Sequence, residues 1–180
     1  MTLLEMKKKV LQLIEEIDDT QDSLTNDPDI AAKMNSVINM VMYELARMKK
    51  IPANTTVEAT KGQVLDLNTL DNFYQARLIR FDGGYDLIEN LVVFTADGEA
   101  NIFYYKYPER ITDETLDEYE FELSQDALEI MPYGVAASLL MSDVSTQYGA
   151  IYSQKYETML QRLDPRYSLD SFSIEGGIEI

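Results

Sequence analysis

The side chains of this sequence that could do chemistry are carboxylates and phenols. Its 180 residues include 32 acids and 12 tyrosines, but neither histidine nor cysteine. Histidine is the commonest general base and transition-metal ligand. Without it and without cysteine there is no Ser-His-Asp triad, no Cys-His pair and no ordinary zinc site. Carboxylate-only chemistry remains: a paired-carboxylate glycosidase or a magnesium site. The densest acids are Glu109, Asp113, Glu114, Asp117, Glu118, Glu120, Glu122, Asp126 and Glu129, accompanied by Arg110 alone. Asp117, Glu118 and Glu120 could hold a metal or divide acid and base roles. No apolar run beside them is strong enough to shift a pKa, so they read as a solvated strand or loop entering a helix at Ser124. The acidic run 18–27 has the look of a calcium loop. However, Ser23 stands where an EF-hand needs glycine, and no glutamate closes it. No catalytic, cofactor-binding or metal-ligating residue is assigned.

The tyrosines are spaced for contact. Tyr148, Tyr152 and Tyr156 lie four apart, about one helical turn, so they fall on one helix face. A tyrosine buries a ring and keeps a hydroxyl, which suits a surface that another protein covers. The plainer reading is a core role for at least one of them.

Composition narrows the class. A chain of this length fits one domain and buries about two thirds of its unfolded surface. Its apolar content of 46% is that of a globular protein. The first nine residues lack the pattern of a signal peptide, and no segment approaches the roughly 18 apolar residues of a membrane span, so a soluble protein is expected. A net charge of −17 disfavours direct binding to nucleic acid. That charge serves solubility, imitates DNA, or lines a passage that DNA crosses without adhering.

The elements follow from local signals. Thr2 and Glu5 have capping-box spacing ahead of an amphipathic helix over 2–18, with Leu3, Met6, Val10, Leu13, Ile14 and Ile17 as its stripe. Asp27 and Pro28 open a second helix that runs to about Lys50, before Pro52. Its methionines, Met34, Met40, Met42 and Met48, are core or an adaptable face. Residues 54–122 turn to β. Lys61-Gly62, Asp82-Gly83-Gly84 and Asp97-Gly98 predict turns between consecutive hairpins, giving an antiparallel meander of four or five strands or a small sandwich. Phe103, Tyr104, Tyr105 and Tyr107 place aromatics on both faces of the last strand. A helix from about Gln125 meets Pro132, where a kink or break is predicted. A final helix over 143–163 ends at Asp164-Pro165. The tail alternates at Phe172 and Ile174, then at Ile178 and Ile180, and Gly176-Gly177 lets it bend. It reads as a floppy terminus or as a strand arm for another chain's sheet edge.

The predicted fold is thus α+β. Two N-terminal helices (1–52) and one or two C-terminal helices (124–166) form a bundle. An antiparallel β subdomain is inserted at 53–123, and a flexible arm follows at 167–180.

This order of elements resembles the head–tail connector proteins of tailed bacteriophages, also called neck, adaptor or head-completion proteins. The likeness rests on three stretches. Asp66-Leu67-Asn68-Thr69-Leu70-Asp71-Asn72-Phe73-Tyr74 is similar to a segment leading into a strand in some of them, with Asn68 where proline is usual. The run from Asp126 to Ala136, and Tyr148-Gly149-Ala150-Ile151-Tyr152, are similar to their C-terminal helices. The resemblance implies a structural virion protein with no cofactor and no membrane, made in the host cytoplasm and placed in the virion neck. It implies a ring oligomer, twelve-fold in the family, that sits beneath the portal protein, completes the DNA-filled head and offers a docking surface to a tail or stopper protein. DNA then passes through without specific binding.

On this reading Tyr148, Tyr152, Tyr156, Phe172, Ile174, Ile178 and Ile180 are candidates for the subunit interface. Asp113, Glu114, Asp117 and Glu118 are candidates for a channel wall. The alternatives are an acidic DNA mimic that inhibits a DNA-binding enzyme, another intracellular protein-interaction module, and a carboxylate-based enzyme.

Overall fold

The computed structural model describes residues 1–17, 24–141 and 147–163. Its elements are α1 (Leu3–Leu13), α2 (Pro28–Met48), β1 (Ile51–Ala59), β2 (Val64–Asp66), β3 (Phe73–Arg80), β4 (Tyr85–Ile88), β5 (Leu91–Phe94), β6 (Gly98–Lys106), α3 (Gln125–Leu140) and α4 (Tyr148–Leu163). The fold is α+β: helices at both ends surround an inserted pair of small antiparallel sheets.

The helix starts obey their local signals. The Thr2 hydroxyl accepts from Glu5 N–H, and the Glu5 carboxylate accepts from Thr2 N–H, closing the capping box. Asp27 caps α2 by accepting from the N–H groups of Asp29 and Ile30, with Pro28 at the first helical position. Ser124 caps α3 through Ala127 N–H. Each satisfies donors that a helix leaves open at its N-terminus. The ends differ more. α1 stops at Leu13, short of the predicted Asp18, and α2 stops at Met48.

Pro132 does not break α3 into two elements; one helix runs through it. Proline removes one backbone donor from the helix. Here the residue is buried among side chains that bury most of the helix, and that packing outweighs the lost bond.

Leu3, Met6 and Val10 of α1, Ile38, Met42 and Leu45 of α2, and Met131 and Val135 of α3 are fully buried together. Each such side chain contributes about 1.5–3 kcal/mol over its exposed state. Ten of the 16 residues of α3 are buried, so it runs through the middle of the bundle. Of the predicted methionine stripe, Met34 and Met42 are core and Met40 is exposed.

The sheets are ordered β1-β6-β3 and β2-β5-β4 and share one apolar cluster, which includes Leu67, Ile79, Val92, Phe94 and Ile102. The antiparallel pairing holds, with six strands in two three-stranded sheets in place of the predicted four or five. The strand order departs from a run of consecutive hairpins. β5 and β6, flanking Asp97-Gly98, belong to different sheets, as do β3 and β4 on either side of Asp82-Gly83-Gly84. Both glycine turns are crossings between layers. The Asp97 carboxylate accepts from Lys61 N–H at 2.7 Å, tying that crossing to the turn after β1. Phe81 lies edge-on to Phe94, ring centres 5.1 Å apart, and fills the space between the sheets. The one sequential hairpin joins β4 to β5 at Glu89-Asn90, where Glu89 has φ 55°. No glycine marks that turn, and the sequence reads through it as a single strand.

After β6 the chain returns to the bundle. Ile111, Phe121 and Leu123 join the helical core, and Leu3 N–H donates to Tyr119 C=O at 2.9 Å. Buried Asn39 fastens this return segment twice: its Oδ1 accepts from Ile111 N–H at 2.8 Å, and its Nδ2 donates to Ile111 C=O at 2.7 Å.

Candidate assembly surface

The three tyrosines of α4 share a helix but not a fate. Tyr156 is buried in the core and its hydroxyl donates to Glu44 Oε2 at 2.7 Å. Burial first, then the bond to Glu44, pushes its pKa far above the ordinary tyrosine value. Tyr152 is half-buried and its hydroxyl donates to the carbonyl of Leu13, the last residue of α1. It thereby satisfies one of the acceptors that a helix C-terminus leaves open. Tyr148 alone stays open, at 55% exposure, in company with Ile151 and Met141. A subunit seam built on all three is therefore corrected: Tyr156 has the core role, Tyr152 clamps α1, and Tyr148 remains available. Four-residue spacing sets a helix face but not what covers it. Here α1 and α2 supply partners for two of the three. Phe172, Ile174, Ile178 and Ile180 lie outside the described residues.

Asp113, Glu114, Asp117 and Glu118 are all exposed. Asp113 accepts from Asn35 Nδ2 at 2.9 Å, and Asp117 lies 3.6 Å from Lys7 Nζ. The Glu114 and Glu118 carboxylates make no hydrogen bond or ion pair with a described side chain. Leu116, between these acids, is 73% exposed. Among the described residues, no three acids gather in a group that could hold a metal ion. Nearby Tyr119 behaves differently. Its hydroxyl is buried without a partner among the described residues, and its pKa is pushed up to about 12 by burial first, then by Glu122 and Glu109.

Two surfaces of the β body were not legible as sites. The outer face of the β1-β6-β3 sheet carries Phe103 and Tyr105 of β6, while Ile102 and Tyr104 point into the core. Two bulges in β3 leave Tyr74 and Arg77 as extra residues opposite β6. A bulge re-aims the side chain it inserts. Arg77 lies over the Tyr105 ring at 5.9 Å, and Lys50 lies over both Tyr105 (5.1 Å) and Tyr74 (5.8 Å). Arg80 covers Phe103 at 5.2 Å, and Leu78, paired with Phe103, is 45% exposed. Alternation along β6 hints at this face, but bulges leave no mark in the sequence.

The other surface is the outside of the second sheet. Val64, Ile88 and Leu91 are 57%, 61% and 41% exposed there, although Val92 and Phe94 on its inner side are buried. Ile88 and Leu91 are directly paired across the hairpin.

No protein-family model matches the chain, and no curated protein matches it. Among the described residues no helix is long and apolar enough to cross a membrane.

Proposed function

We propose that this chain is a structural subunit of a tailed-phage virion, a head–tail connector that assembles into a ring beneath the portal, completes the filled head and receives the tail. The observation that carries this reading is the outward apolar face of the second sheet. A body that already buries Val92 and Phe94 leaves Val64, Ile88 and Leu91 in solvent on one side. Exposed apolar side chains gathered on one sheet face, here interspersed with Asp66 and Asp86, are the kind of surface a protein partner covers.

The resemblance in element order supplies the kind of assembly. The β body is inserted between α2 and α3, and its two three-stranded sheets are open at their edges. A net charge of −17 suits a ring through which DNA slides, because repulsion keeps phosphates from settling on the wall.

The test is electron microscopy of the protein mixed with its cognate portal ring. An added ring of density beneath the portal is expected. Two components that stay separate over a wide concentration range would overturn the reading.

A further inference from the structure

We infer that this chain binds a second copy of itself head to tail, with the acidic turn 113–118 of one copy seated on the basic, aromatic outer face of the β1-β6-β3 sheet of the next. This seam rests on the ring-subunit reading above and gives it residues.

The cations make the first part of the case. The chain has 32 acids for 15 bases, so carboxylates are plentiful for every cation. Among the described residues, Lys7 pairs with Asp117 and Lys106 with Glu122. Most other described cations have no ion pair; what sets Lys50, Arg77 and Arg80 apart is that they gather on one sheet face over Tyr74, Tyr105 and Phe103, Lys50 also donating to Gln75 Oε1 at 2.6 Å. A cation over an aromatic ring stays available to an anion from the open side. Arg77 and Arg80 flank exposed Leu78 along β3, and Lys50 lies over Tyr105 farther along the same face, so the plate carries cations beside an apolar centre.

The acidic turn is its counterpart. Leu116 projects at 73% exposure between Asp113-Glu114 and Asp117-Glu118. Apolar centre would meet apolar knob, and carboxylates would meet Arg77, Arg80 and Lys50. The two surfaces cannot satisfy each other within one copy. Asn35 of α2 holds the turn through Asp113, and Lys50 lies just beyond the end of α2. From Asn35 to the end of α2 at Met48 the helix rises roughly 20 Å. Two different faces meeting between copies form a heterologous contact, which closes a ring or propagates a filament. Asp113, Glu114, Asp117 and Glu118 then lie at the seam and not on the channel wall.

A nucleic acid fits the plate less well. Glu58 and Glu99 sit paired at the far end of the same sheet, and the whole chain repels a polyanion. A short acidic turn needs only the basic end.

Because the chain lacks cysteine, a disulfide reports the contact. Leu78→Cys and Leu116→Cys, both at exposed positions, are prepared separately, mixed at physiological ionic strength and mildly oxidised. Cross-linked dimer is expected about tenfold above either variant alone, the excess that 1.4 kcal/mol of preferential pairing gives. Arg77→Glu/Arg80→Glu and Glu114→Lys/Glu118→Lys, each placed in both cysteine variants, should abolish that excess, with circular dichroism confirming the fold. Placing the first pair in Leu78→Cys and the second in Leu116→Cys should restore it. Wild-type rings seen by sedimentation without the mixed cross-link would overturn this seam and leave the ring reading standing. Cysteine variants that give no mixed cross-link, together with a wild-type chain that stays monomeric and adds no ring to the portal, overturn both. Capture of a single-stranded oligonucleotide that depends on Arg77 and Arg80, again without the cross-link, assigns the plate to nucleic acid and sinks the proposal.

Discussion

Gly134 leaves the space that the Tyr156 ring occupies: a Cβ on Gly134 would stand 2.7 Å from ring carbon Cε2 of Tyr156. Helix α4 therefore packs on α3 at a distance that only glycine permits, and the Tyr156 hydroxyl reaches past α3 to Glu44 of α2.

Gly134→Ala sets two effects against each other. Alanine favours a helix interior by about 1 kcal/mol over glycine. The added methyl, however, also meets Val41 Cγ1 at 2.9 Å, and overpacking a core costs about 1–3 kcal/mol. Both neighbours are core atoms with little room to give, so net destabilisation is expected in urea denaturation. A stabilised variant would show that the contact relaxes freely. Tyr156→Ala should cost more, about 3–5 kcal/mol, because it empties the ring's site.

Asn39→Ala removes both hydrogen bonds to Ile111 and leaves that buried N–H and C=O without partners. An unsatisfied buried polar group costs about 1–3 kcal/mol. A loss of about 2–6 kcal/mol is expected for the pair. Hydrogen exchange at Ile111 should accelerate before that of the α2 core. Unchanged exchange at Ile111 would contradict this anchoring role.

Tyr119 predicts an alkaline weakening. Its folded pKa of about 12 lies above the ordinary 10.0. Below pH 10 both states hold the proton, so no stability is lost there. Between pH 10 and 12 the unfolded chain releases the proton while the folded chain keeps it, and stability falls as pH rises. Tyr119→Phe should show a shallower fall over that window in thermal melts. Equal slopes would show that Tyr119 ionises as easily folded as unfolded.

Thr2→Ala opens the capping box of α1 and should lower stability by about 1 kcal/mol. The same end of α1 bonds to the return segment through Leu3 and Leu4. The loss should therefore appear as faster exchange at Leu3 and Leu4; full protection at those amides would show that tertiary packing alone holds the helix start.

How much of this was legible follows from the range of each signal. Thr2 with Glu5, Asp27 with Pro28, and Ser124 act on backbone groups within three residues, so the sequence by itself determined where α1, α2 and α3 begin. The α+β class and the β character of the middle were equally local, resting on period and turn residues. Partner choice was not. β1 pairs with β6, whose residues lie some 45 positions away, and Asn39 meets Ile111 across 72. Asp97-Gly98 has the chemistry of a hairpin turn, yet it joins two layers, because the shared core of Phe94, Ile102 and Val92 favours closing a sandwich. The tyrosine face of α4 shows the same limit. Spacing put Tyr148, Tyr152 and Tyr156 on one side of a helix; only the tertiary structure decided that α1 and α2 would cover two of them. Helical periodicity is a property of one segment, whereas burial is a property of what packs against it.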